Sequence, residues 1–195
     1  MKKTVVAQCY NEEFLLPWWL MHHKDVFDHG IIVDYHSTDR TREIIKDICP
    51  TWEVRTSRNA NFSAYNVDLE MMDIEKGVEG WKITNNVTEL IVGDFSILTE
   101  EPDQRWLIPT VMFLDTDPEN PVTYDQPLWE QKHYGFSFQD SQQAFLERRA
   151  RSFHNKHFEY YPDHYTVEAM GPGRHFNTYT TDKLEIGRAS CRERV

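Results

Sequence analysis

Two short apolar runs, each breaking at once into polar side chains, constrain this chain more than any other feature. Thr4-Val5-Val6-Ala7-Gln8-Cys9 is β-rich and gives way to Tyr10-Asn11-Glu12-Glu13. Gly30-Ile31-Ile32-Val33 gives way to Asp34-Tyr35-His36-Ser37-Thr38-Asp39. Runs of this length and composition predict strands, and the helix-like segment between them predicts a strand–helix–strand unit. In open α/β sheets ligands bind beyond the carboxyl ends of the strands, so two polar strand ends side by side point to a nucleotide crevice.

The rest of the chain keeps the alternation. Pro17 suits the first turn of a helix running to about Lys24, with Trp18, Met21 and His22 on one face. His22 and His23 are neighbours and point in different directions, so they are read as packing residues with no metal role. Ile44, Ile45 and Ile48 give a second helix its stripe and Pro50 ends it. Trp52 to Thr56 alternates as a third strand, and a helix through Leu69, Met72 and Glu75 follows. The segment 105–114, interrupted by Pro109, reads as a strand pair or an edge strand. Residues 115–127 form a loop, and 142–154 have helical periodicity. Beside the loop, Tyr124, Trp129 and Tyr134 could stack on a ligand or simply pin it.

Composition limits the class. At 195 residues, 39% hydrophobic and 13% aromatic, the chain has enough apolar surface for one domain with a core. A formal charge of −11 argues against nucleic acid, whose phosphates need a basic face. No apolar run approaches membrane-spanning length and the first strand starts too early for a signal peptide, so a soluble, cytoplasmic protein is expected. Residues 185–195 can be encoded by DNA that resembles read-through into a short-read sequencing adapter. They are set aside, leaving a domain over 1–184 that is expected to be truncated at its C-terminus. Of the cysteines, Cys9 and Cys49 then remain, read as reduced and buried.

The residues at the strand ends carry a resemblance. Asn11-Glu12-Glu13, Leu16-Pro17 with Trp18 or Trp19, and Asp34 with Ser37, Asp39 and Thr41 resemble the opening of family 2-like glycosyltransferases of the GT-A fold. The match is ordered and about forty residues long. It implies an α/β, Rossmann-like, mixed but mostly parallel sheet flanked by helices, and a nucleotide-sugar donor, UDP-linked. Tyr10, Asn11, Glu12, Asp34, Ser37, Asp39, Arg58 and Asn66 would then serve the donor, with Asp34 on the base and Arg58 near the diphosphate. Ser37, Thr38 and Asp39 could instead only cap the helix that follows.

The resemblance also implies a divalent cation, manganese or magnesium, held by an Asp-x-Asp pair after the strand at Trp81. Here Asn86 and Thr88 stand at those positions, and loss of both carboxylates weakens a hard-cation site. Asn86, Thr88, Glu89 and His175 are the candidate ligands, with Asp94 as a substitute for a lost carboxylate. Arg174 or His175 could alternatively replace the metal. Asp140, with Glu130 or Asp117 as rivals, is the candidate base that deprotonates an acceptor hydroxyl, and Glu89 is a second catalytic candidate. The partners expected are a nucleotide-sugar and a saccharide or other hydroxyl acceptor. A catalytically silent sugar-nucleotide binder is the alternative. A nucleotidyltransferase is disfavoured because no Gly-rich loop with a Lys follows the first strand.

Overall fold

The computed structural model describes residues 1–61, 63–101, 105–108, 110–113, 119–132, 134–137, 151–154 and 187–191. The first strand, β1 (Lys3–Cys9), is buried on both faces. Its Val5, Ala7 and Cys9 enter one core cluster and Val6 enters another. Such two-sided burial is what a central strand of a parallel sheet requires. After α1 (Leu16–Val26), with Pro17 in its first turn, β2 (His29–Asp34) pairs parallel to β1, setting Gln8 beside Val33 and Cys9 beside Asp34. Gly30 is dictated by packing, since a Cβ there would meet the Trp52 ring at 2.1 Å.

The next elements are α2 (Thr41–Ile48), β3 (Glu53–Thr56), α3 (Ala64–Lys76), β4 (Trp81–Asn86) and β5 (Glu89–Val92). Ser63 caps α3 by accepting the Asn66 N–H. The strand order β3-β2-β1-β4 is wholly parallel, so this is an α/β fold with a mostly parallel, Rossmann-like sheet. From β1 the chain winds outward through β2 to β3, then α3 carries it back to lay β4 on the other side of β1. Direction therefore reverses between β1 and β4. Helices α1 and α2 pack against each other, and α3 packs against β1 and β4.

The remaining strands are β6 (Arg105–Ile108), β7 (Thr110–Phe113), β8 (Gly135–Ser137), β9 (Arg151–His154) and β10 (Gly187–Cys191), with α4 (Leu128–Gln131) between β7 and β8. β9 and β6 extend the first sheet antiparallel, and β5-β10-β7-β8 form a second. Beyond Asn86 the chain turns at Val87-Thr88 from β4 into β5. Two expectations change. The two strands around Pro109 do not pair with each other: β6 takes an edge of the first sheet, as the edge-strand reading has it, and β7 lies inside the second. Residues 151–154 are a strand rather than a helix end, because pairing with β6 overrides the local periodicity. Residues 187–191, set aside as adapter-like, occupy a strand position between β5 and β7. Among the described residues no helix is long and apolar enough to cross a membrane.

Candidate functional site

At the ends of β1 and β2 the backbone leaves the sheet through two non-glycine residues in the left-handed region, Asn11 at φ 51° and His36 at φ 58°. Such residues cost of order 1–2 kcal/mol and persist only when their surroundings hold them. Here the two loops hold each other. The N–H groups of Asn11, Glu12 and Glu13 donate to Ser37 Oγ (2.9 Å), Thr41 Oγ1 (2.8 Å) and Asp39 Oδ2 (3.1 Å). In return, the N–H groups of Thr38 and Arg40 donate to Asn11 Oδ1 (2.8 Å) and Glu13 Oε2 (3.1 Å).

Asp39 also accepts the Thr41 N–H at the start of α2. Its slight burial works against ionisation, yet the hydrogen bonds from Thr41 and Glu13 hold the carboxyl below its usual range. Asp34 lies beneath this clasp, 1% exposed, with Oδ1 accepting the Ser37 N–H and Oδ2 bound by Arg42 Nη1 at 2.7 Å. The motif residues Asn11, Ser37, Asp39 and Thr41, with Asp34 below them, thus hold the two strand ends together.

A cavity of about 270 Å³ opens beside the clasp, at the reversal point between β1 and β4. The end of β1 contributes Gln8, Cys9 and Tyr10, and Glu12 follows from the clasp. Tyr35 comes from beyond β2, and the β4–β5 turn supplies Asn86, Val87 and Thr88. Burial, reinforced by Asp39, pushes the Glu12 carboxyl above its usual range, and no described residue hydrogen-bonds to it. Burial, together with Asp34, Glu12 and Asp39, raises the Cys9 thiol far above the ordinary value, so it stays protonated and is no nucleophile at neutral pH.

The β4–β5 rim is held from behind. Glu89 turns its carboxylate onto Asn86, accepting the backbone N–H at 3.2 Å and Nδ2 at 3.4 Å. Its carbonyl accepts from Asn85 Nδ2 (2.7 Å) and from Trp19 Nε1 (2.9 Å). Two residues on, Ile91 donates its N–H to His23 Nε2 at 3.2 Å, and its carbonyl accepts from His22 Nε2 at 2.6 Å. Because His23 Nε2 accepts, its proton sits on Nδ1 and is donated to the Trp19 carbonyl at 2.9 Å. Residues 89 and 91 face the same edge of a strand, so one turn of α1 bonds to β5 much as a neighbouring strand would. Burial lowers the pKa of His22, and that of fully buried His23 further, with His22 adding to the effect. The histidine pair is therefore more than packing, and it binds backbone.

Tyr10, Glu12, Asn86 and Thr88 thus share one cavity, with Asn11, Ser37, Asp39, Asp34 and Glu89 packed behind its rims. Arg58 lies apart. It bonds Asp73 Oδ2 at 2.6 Å and lines a different cavity beside α3, with Arg55 and Glu70. Asn66, exposed on the first turn of α3, is linked to Tyr35 through Asn59, whose Nδ2 lies 3.4 Å from the Asn66 carbonyl and 3.2 Å from the Tyr35 hydroxyl. Asp94 is exposed and accepts the Ser96 N–H. Glu130 is exposed on α4. Tyr124 stacks on Trp18 with centroids 4.1 Å apart and donates to the Phe14 carbonyl, so it pins its loop to α1. Asp117, Asp140, Arg174 and His175 lie outside the described residues.

The described residues fit a divalent cation poorly. None of them gather as three His, Cys, Asp or Glu side chains able to hold one, and the Glu89 carboxylate is committed to Asn86. Gln8, Tyr35 and Val87 were not singled out by the sequence. The signal for Gln8 was the two-residue period of β1, which puts Thr4, Val6 and Gln8 on one face.

The fold and site define an α/β sheet with a cavity at its strand-order reversal. No family model matches the chain, and no curated protein matches it. Among solved structures, residues 1–349 of S. aureus TarS share 22% identity over 47% of this chain and 28% of that one, with a TM-score of 0.35. The same TarS fragment in complex with UDP-GlcNAc gives 19% identity over the same shares and a TM-score of 0.33. The chain spans less than a third of the length of either structure. A likeness of this size says nothing of activity.

Proposed function

We propose that this chain binds a nucleotide-sugar, UDP-linked, in the crevice between β1 and β4 and transfers the sugar to an acceptor hydroxyl. The observation that carries the reading is the cavity at the reversal of strand order, where open α/β sheets bind nucleotides. The motif resemblance at Asn11-Glu12 and Asp34 to Thr41 supports it. Tyr10, 56% exposed at the cavity, offers a ring for the base, and Glu12 offers a carboxylate to ribose or base. No Lys or Arg lines this cavity among the described residues, so the diphosphate is assigned to groups outside it, with Arg174 and His175 as candidates.

In the transfer the bond from the anomeric carbon to the phosphate oxygen breaks, its electron pair leaves with UDP, and the acceptor oxygen takes its place. The acceptor proton passes to a carboxylate, for which Asp140 is the candidate. The whole site is assigned to residues 1–184, so a chain ending at Leu184 is expected to keep ligand binding. A silent nucleotide-sugar binder is the second reading, favoured by the neutral Asn86 and Thr88 at the rim.

The test is a thermal-shift panel of nucleoside diphosphates with and without Mn²⁺, paired with an assay for UDP released from UDP-sugars. A shift selective for UDP with UDP release supports transfer. A shift without release supports the silent binder, and no shift with any nucleotide sinks both.

A further inference from the structure

Tyr124 is held firmly and is still open to solvent. Its ring stacks on the buried Trp18 with centroids 4.1 Å apart, and its hydroxyl donates to the Phe14 carbonyl at 2.9 Å. Its loop is braced from α1, where Trp18 Nε1 donates to the Thr123 carbonyl at 3.0 Å and the Gln126 carbonyl at 3.2 Å. From α4, Gln131 Nε2 bonds the same two carbonyls at 2.8 Å. A ring fixed in this way loses little freedom when a ligand lies on it. Pinning the loop accounts for the face on Trp18 and for the hydroxyl, yet Tyr124 remains 46% exposed, so the face turned away from Trp18 meets solvent.

Phe14, 45% exposed, stands beside the stacked pair at 69° to Tyr124 and 76° to Trp18. Two exposed rings thus meet at a steep angle and form a corner. Burial and the Glu13 carboxylate raise the Tyr124 hydroxyl above its ordinary value, which sets that carboxylate near the ring. Glu13 is itself exposed; its Oε2 accepts the Arg40 N–H, and its Oε1 takes no hydrogen bond from the described residues. Glu12, two residues before Phe14, lines the cavity, so the corner adjoins the Glu12 side of the crevice.

We infer that this corner is the acceptor subsite and takes an uncharged saccharide, one pyranose laying its apolar C–H face on Tyr124 against Phe14 and donating a hydroxyl to Glu13. The inference rests on the nucleotide-sugar reading above and deepens it by giving the acceptor a class and a place. A pyranose joins an apolar face to hydroxyl donors at its edge, which matches a ring face with a carboxylate beside it. A cation is the rival occupant, since ring faces and a carboxylate attract it too.

The experiment is an NMR titration of the UDP-saturated full chain with cellotriose, maltotriose, triacetylchitotriose and tetramethylammonium, following the ring signals of Phe14 and Tyr124. It is repeated in Tyr124→Leu, which keeps an apolar group on Trp18 without a flat face, and in Tyr124→Phe, which keeps the ring and loses the hydroxyl. At least one trisaccharide is expected to perturb both rings in the parent, to bind Tyr124→Phe about as tightly, and to bind Tyr124→Leu about tenfold more weakly. UDP affinity is expected to match the parent's in both variants. A chain that binds UDP while its rings ignore every trisaccharide, responding to tetramethylammonium alone or to nothing, overturns the inference and leaves the nucleotide reading standing. Equal saccharide affinity in Tyr124→Leu overturns it as well. A chain that takes up no UDP overturns the nucleotide reading and the acceptor role with it.

Discussion

The two rims of the cavity are built on opposite plans. The β1–β2 rim is a self-contained clasp in which loop backbones and short polar side chains satisfy one another across 26 to 29 residues of sequence. The β4–β5 rim adds to its own bonds among Asn85, Asn86 and Glu89 a second set from Trp19, His22 and His23 of α1. Short polar loop residues leave a recognisable motif, whereas bonds from a helix to a strand's backbone leave almost none. The consequence for function is that most motif residues are already occupied. Glu12, whose carboxyl takes no hydrogen bond from the described residues, keeps capacity for a ligand and sits beside the motif's best-bonded members.

The contrast can be broken most sharply at His23. Replacing this fully buried ring by Ala leaves a cavity and an unpaired Ile91 N–H, and is expected to cost about 3 kcal/mol in urea unfolding, with faster amide exchange at Ile91 than in the clasp. On the other rim, Asp34→Ala releases the Ser37 N–H and Arg42 and should cost about 2 kcal/mol, with accelerated exchange at Ser37 instead.

Acid should separate the rims without mutation. The folded pKa of His23 lies well below the unfolded value of 6.5, so the unfolded chain takes up a proton that the native ring refuses. Its contribution is fully present above pH 6.5 and is lost as pH falls, with a slope approaching about 1.4 kcal/mol per unit. Urea unfolding between pH 7 and 5 should show this slope in the parent and a flatter one in His23→Gln. Thr41→Val, which removes the acceptor for the Glu12 N–H, should cost about 1 kcal/mol. The smallest effect is expected at His36→Gly, where relief of the left-handed backbone should raise stability by less than about 1 kcal/mol.

The first half of the fold was legible because each parallel strand there is a short apolar run with a polar end. The alternation of β1, α1, β2, α2, β3, α3 and β4 follows the sequence pattern closely. What escaped depended on chain crossings. The turn at Val87-Thr88 lacks Gly or Pro, so no residue announced β5 as a separate strand. The strand at 151–154 exists through its pairing with β6. Within the site, Glu12 was marked by its place at a strand end, and Asn86 and Thr88 by the family resemblance alone. The partition of Arg58 into another cavity was not, because its partner Asp73 lies one turn before the end of α3. Gln8 was overlooked because the period of β1 fixes its face but not that this end of the face opens on a cavity.

The most direct test of the central claim is a ¹H–¹⁵N NMR titration of the chain with UDP. Binding at the strand-order reversal predicts perturbations concentrated on the amides of Gln8, Tyr10, Glu12, Asn86 and Thr88, with those of Arg58 and Asp73 unmoved. Perturbations centred on Arg55, Arg58 and Asp73, with Gln8 and Asn86 silent, would contradict it.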